Sequence, residues 1–114
     1  MKQPIRMIRG TTQLINITVN NIDGSTYALA DGEILRFGLK KQPEDDKCVV
    51  EKELTNANLD EGVYVLTLLP NDTLGLDFGT YYYDVGLQSG TTYINVIECS
   101  EFTIGYNITE VSTA

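Results

Sequence analysis

Histidine and tryptophan are missing from the 114 residues. Without imidazole there is no Ser-His or Cys-His nucleophile and no His-liganded metal centre. Cysteine is nearly absent as well. Cys48 and Cys99 stand alone, without CxxC spacing, and two thiols cannot close a four-ligand zinc site. They are expected to be reduced and half-buried, with one long-range disulfide as the alternative. Positive charge is scarce, with 8 Lys and Arg against 16 Asp and Glu, for a net charge of −8. The basic residues Lys2, Arg6, Arg9, Arg36, Lys40, Lys41, Lys47 and Lys52 are scattered, and the last four border the acidic run Glu44-Asp45-Asp46. Binding to nucleic acid needs clustered cations that displace counterions, so no nucleic-acid partner is expected. An acidic surface serves solubility. Long apolar runs are missing too: no stretch approaches a membrane span, and Met1 to Arg6 lacks the core of a secretory signal. The Asn-X-Thr triplets at Asn16, Asn71 and Asn107 therefore read as accidents of composition.

What is present is a period of two. Ile15, Ile17 and Val19 alternate with Asn16, Thr18 and Asn20, as a strand with one buried face requires. Turn residues follow at Asn20 to Gly24, then a short extended piece at Tyr27 and Leu29, then Asp31-Gly32. Leu35, Phe37 and Leu39 share one face of the next segment. Cys48 to Leu54 reads as a strand with an exposed edge marked by Glu51, Lys52 and Glu53. Val63 to Leu69 is apolar on both faces, with Val63, Val65 and Leu69 opposite Tyr64, Leu66 and Leu68. Pro70 ends it, and residues 71 to 76 have room for one helical turn capped by Asn71 or Asp72. Tyr81, Tyr83, Val85 and Leu87 line one face of the following strand. Gln88-Ser89-Gly90 turns the chain into a last segment with Ile94 and Val96 inward, continued by Phe102, Ile104, Tyr106 and Ile108. The first few residues read as loose. No amphipathic crossover helix exists, so the expectation is one domain over residues 1–114, an all-β sandwich of about seven antiparallel strands.

The string Leu76-Asp77-Phe78-Gly79-Thr80-Tyr81-Tyr82-Tyr83 resembles the Asp-X-Gly-X-Tyr corner entering strand F of immunoglobulin-like domains. The resemblance implies that the Tyr81 hydroxyl bonds to backbone a few residues upstream, with Asp77 and Gly79 completing the corner. Tyr83 stands where antibody domains carry cysteine, which places the chain outside that branch. A wider pattern is similar to small prophage-encoded proteins and to the N-terminal domain of phage baseplate upper proteins. It comprises Leu29 to Phe37, Glu61 to Tyr64, Leu69 to Thr73 and Gly79 to Val85. This resemblance implies a structural tail or baseplate component that contacts other virion proteins or copies of itself, made in a bacterial cytoplasm and then carried in the virion.

The sequence offers no catalytic residue and no cofactor. Asp72, Asp77, Asp84, Glu98 and Glu101 supply carboxylates of the kind a glycosidase pairs, but a domain this small offers little cleft. Asn20, Asn21 and Asp23, or Glu44, Asp45 and Asp46, have the oxygen chemistry of a calcium loop without an EF-hand spacing, so no metal is assigned. Seven Tyr against three Phe is a skew toward rings that pack on one side and hydrogen-bond on the other. Tyr64, Tyr82 and Tyr93 are expected on an exposed face, as an interaction surface or as cross-strand pairs that stabilise a sheet. Two other readings stay open: a glycan- or small-ligand-binding module built from these tyrosines, and an acidic mobile-element regulator that mimics nucleic acid.

Overall fold

A computed structural model describes residues 3–106. Ile108 and the Asn107 triplet lie outside the described residues. Strands hold 54% of the chain and helical turns 8%, which makes the fold all-β. The strands are β1 (Ile5–Ile8), β2 (Gln13–Ile17), β3 (Ile34–Lys40), β4 (Val50–Leu54), β5 (Leu59–Asp60), β6 (Val63–Leu68), β7 (Gly79–Ser89) and β8 (Thr92–Gly105). They form a five-stranded sheet in the order β1-β8-β7-β3-β4 and a three-stranded sheet in the order β2-β6-β5. The two sheets pack together in a sandwich-like arrangement.

Among the described residues there are eight strands, against an expectation of about seven antiparallel ones, and the sense differs at one place: β1 pairs parallel to the end of β8, with Ile5 opposite Phe102 and Ile8 opposite Gly105. Four residues are too few to show a period, so β1 reads as loose until the edge of β8 supplies its partner. The Tyr27–Leu29 piece forms no strand. Its Tyr27 amide donates to the Val19 carbonyl at 2.8 Å, next to an isolated bridge between Asn20 and Thr26.

The core gathers Leu35, Phe37 and Leu39 of β3, Tyr81, Tyr83 and Val85 of β7, and Phe102 and Ile104 of β8 against Ile15, Ile17, Tyr64, Leu66 and Leu68 of the smaller sheet. Phe37, Tyr83 and Phe102 form a mutual aromatic cluster with centroids 5.5 to 6.4 Å apart, two of the three pairs edge-to-face. The Tyr83 hydroxyl donates to the Gln3 carbonyl, and the Gln3 amide donates to Ser100 Oγ at 2.9 Å, which fastens the start of the chain to the sheet. A short helix, α1 (Pro70–Leu74), bridges the sheets. Its cap position is Leu69 rather than Asn71 or Asp72, because Pro70 already occupies the first turn. Asp72 instead accepts the Leu69 amide at 2.7 Å and pairs with Lys52 Nζ at 3.0 Å. That Lys52, on the edge strand β4, blunts an open sheet margin with a charge.

The period of β8 slips. Tyr83 pairs with Ser100 but Val85 with Ile97, and Gly86 with Asn95, so β8 carries an extra residue at each step. These bulges re-phase the side chains between them, around Ile97. Ile97 is buried where Val96 was expected, while Ile94, opposite Leu87, keeps the inner face but is 56% exposed.

Candidate functional site

The outer face of the five-stranded sheet is where the sequence concentrates chemistry. On β3 the outward residues are Arg36, Gly38 and Lys40, and on β7 they are Tyr82, Asp84 and Gly86. The strand register sets Gly38 opposite Asp84 and Arg36 opposite Gly86. The glycines leave a shallow floor, and a concavity of about 510 Å³ lies over it, walled by Arg36, Lys40, Cys48, Glu51, Tyr82 and Tyr93. Tyr93 comes from β8 and lies flat over Gly86: a Cβ there would sit 2.1 Å from its ring. Cys48 covers Gly38 in the same way, with Sγ 2.9 Å from where a Cβ would be. The floor is therefore glycine because two neighbouring side chains occupy the space a methyl would need.

One ion pair crosses this face. Arg36 donates to Gln88 Oε1 at 2.5 Å and pairs with Glu53 at 2.6 Å. Burial pushes the Asp84 carboxyl above its ordinary range, and the opposing influence of Lys40 is the smaller of the two. Burial raises the Tyr93 hydroxyl as well, with a further push from Asp84. The Cys48 thiol is raised by burial first and by Glu51 second, which keeps it a protonated, unreactive thiol. Cys48 and Cys99 are both free and both border the concavity.

Of the three tyrosines expected on an exposed face, the structure brings Tyr82 and Tyr93 to this concavity and removes Tyr64. Tyr64 is fully buried between the sheets. Its hydroxyl donates to the Tyr27 carbonyl at 2.7 Å and accepts the Leu29 amide at 2.8 Å, so it pins the 27–29 segment onto β6. The reason is periodicity: Tyr64 shares a face with Leu66 and Leu68, and that face is the core. At the corner residues, Tyr81 is buried and its hydroxyl donates to the Asp77 carbonyl at 2.8 Å. Gly79 has φ +131°, a conformation that side-chain-bearing residues rarely adopt. Lys41 Nζ sits 4.5 Å over the Tyr81 ring, and Arg9 sits 4.2 Å over Phe78, which stacks on Tyr106 at 3.9 Å.

The carboxylates do not converge. Asp72 serves α1 and Lys52, the corner uses the backbone of Asp77, Asp84 opens to the concavity, and Glu98 and Glu101 line a neighbouring depression beside Tyr82. The Asn20–Asp23 loop closes on itself, with Asp23 accepting the Ser25 amide at 2.9 Å and its hydroxyl at 2.6 Å. Asp45 likewise accepts the Gln42 amide at 3.1 Å. Among the described residues, no three His, Cys, Asp or Glu side chains are grouped to hold a metal ion. Sequence reasoning missed Arg36, Gly38 and Gly86 as site residues. Their signal was the outward positions on β3 and β7, where glycine at a strand centre marks a close approach by something else.

Fold and site together define an all-β, sandwich-like unit whose distinctive surface is a glycine-floored sheet face bearing two tyrosines and the Arg36–Glu53 pair. No family model, curated protein or solved structure matches the chain.

Proposed function

We propose that the chain is a non-catalytic assembly protein of a phage or prophage tail or baseplate, an immunoglobulin-like module that works through protein–protein contacts. The observation that carries this reading is the sheet face on which Tyr82 and Tyr93 line one concavity beside the paired Arg36 and Glu53. Partly exposed rings supply contact area at little entropy cost, and paired ions avoid leaving an uncompensated charge under a partner. The tyrosine corner at Asp77, Gly79 and Tyr81 and the resemblance of Gly79 to Val85 to baseplate modules support the tail assignment. Its partners are other virion proteins, met in the bacterial cytoplasm during assembly and retained in the virion. Mass spectrometry of particles purified after induction of the strain that carries the gene tests this. The chain in whole-number copies per particle is the expected result, and particles free of it overturn the reading.

The concavity favours one second reading, a module for a glycan or small ligand. Its volume accommodates one or two sugar rings, and Tyr93 with the Arg36–Glu53 pair offers a stacking face beside polar groups. Glycan-array binding abolished by Tyr93→Ala is the result that would favour it.

A further inference from the structure

We infer that the concavity on the outer sheet face receives a positively charged side chain, lysine or arginine, from a partner protein, with Asp84 as its counter-ion between the rings of Tyr82 and Tyr93. The strands set this up. Tyr82, Asp84 and Gly86 are successive outward positions of β7, and the Tyr93 ring lies over Gly86. The carboxylate therefore stands between two aromatic rings along one strand, with about 7 Å between successive outward positions. Both rings and the carboxylate line the same concavity of about 510 Å³. A cation that meets a carboxylate beside aromatic rings gains ion-pair and cation–π attraction together. The chain already makes ring–cation contacts of its own, with Lys41 4.5 Å over Tyr81 and Arg9 4.2 Å over Phe78.

The cations in the wall leave the place open. Arg36 is engaged by Glu53 and Gln88, and Lys52 by Asp72. Asp84 and Glu51 remain, against Lys40 alone. The register sets Gly38 between the two acids, with Asp84 opposite it on β7 and Glu51 opposite it on β4. Among the described residues, no hydrogen-bond donor and no cation pairs with the Asp84 carboxylate. Lys40 favours its charge from a distance, and burial outweighs that help. One lysine cannot neutralise two acids. A carboxylate half withdrawn from water is thus left uncompensated, at a cost in free energy that an incoming cation recovers.

Charge also selects the kind of partner. The chain carries −8, so a basic surface is drawn to it and an acidic one is repelled. Glu101, opposite Tyr82 on β8, extends the acidic surface along the same face. The concavity is shallow and lies open on the sheet, which suits a side chain carried on a protein better than a free molecule that must be enclosed. The inference deepens the reading of the chain as a contact protein and rests on it, by naming what the partner presents.

The experiment is a nuclear magnetic resonance titration of the full chain with N-acetyl-lysine methylamide and N-acetyl-arginine methylamide, and with N-acetyl-norleucine methylamide as the uncharged control. Millimolar amounts of a charged probe are expected to shift the Tyr82 and Tyr93 ring signals and the Asp84 carboxyl carbon saturably, while the norleucine probe leaves them in place. The charged probe that binds more tightly names the side chain. Asp84→Asn weakens binding at least about tenfold. That variant keeps the fold, because it removes a charge that burial disfavours. Lys40→Met removes the competing cation and strengthens binding, and Tyr93→Leu weakens it. No saturable shift in the unaltered chain, equal shifts from norleucine, or binding that survives Asp84→Asn would each overturn the site. The site and the tail assignment fail separately. A chain that binds the probes but is missing from particles removes only the tail assignment, and a chain found in particles that ignores the probes removes only the site.

Discussion

Replacing Tyr64 by Phe deletes one oxygen atom from the centre of the molecule and is the sharpest test of how the small sheet is held. The hydroxyl serves the Leu29 amide at 2.8 Å and the Tyr27 carbonyl at 2.7 Å, and both Tyr64 and Leu29 are buried. Without it the buried Leu29 N–H loses its acceptor, which costs about 1–3 kcal/mol. The Tyr27 carbonyl is nearer solvent and loses about 0.5–1 kcal/mol net. The sum is about 1.5–4 kcal/mol, which in a domain of this length lowers the midpoint of thermal unfolding by roughly 6–17 °C. Urea unfolding followed by circular dichroism measures the loss, with an unchanged slope because the same surface is exposed. Amide hydrogen exchange gives the local readout: Leu29 loses protection more than the centre of β3. Tyr82→Phe, on the outer face, is the control and moves stability by less than about 0.5 kcal/mol. A Tyr64→Phe loss as small as that, with Leu29 still protected, would show that the hydroxyl is dispensable and that the reasoning fails.

Three further changes probe the other layers. Burial raises the Asp84 carboxyl, so the folded state holds its proton more tightly than the unfolded chain, and stability falls as pH rises through the folded-state value. Asp84→Asn is therefore expected to melt higher than the unaltered protein at pH 7, with the gap closing below the ordinary carboxyl value of 3.8; a lower melting point at neutral pH would contradict this. Gly86→Ala places a methyl 2.1 Å from the Tyr93 ring and must lift it off the sheet, at about 1 kcal/mol, because the ring rather than the backbone yields. Tyr93 ring resonances moving toward free-tyrosine positions are the readout, and an unmoved ring counts against the glycine floor. Thr73→Val removes the buried acceptor of the Gly10 amide, 2.8 Å away, for a loss of about 1–3 kcal/mol that Thr73→Ser avoids. Equal unfolding midpoints for the two variants would refute that account.

Alternation alone identified the inner faces of β2, β3 and β7, because a period of two leaves no freedom once one face is apolar. The same rule already set Tyr64 with Leu66 and Leu68, and the error lay in treating its ring as a surface group. A Tyr side chain reads as amphipathic in sequence. Its burial depends on whether a distant backbone, here residues 27 and 29, brings a donor and an acceptor to its hydroxyl. The burial of Ile97 in place of Val96 has a different reason. The alternation through β8 is continuous on paper, and the bulges that re-phase it arise from fitting a longer strand to β7.

The sequence by itself determined that the chain is all-β, that no imidazole serves any site, and that the surface is acidic, since these follow from composition and from the two-residue period of each strand. Tertiary structure decided the rest: the parallel seat of β1, the meeting of Tyr82 and Tyr93 at one concavity, and the bulges of β8. Each depends on which strands become neighbours, and neighbours far apart in the chain are chosen by the packing of two whole sheets rather than by any local run of residues.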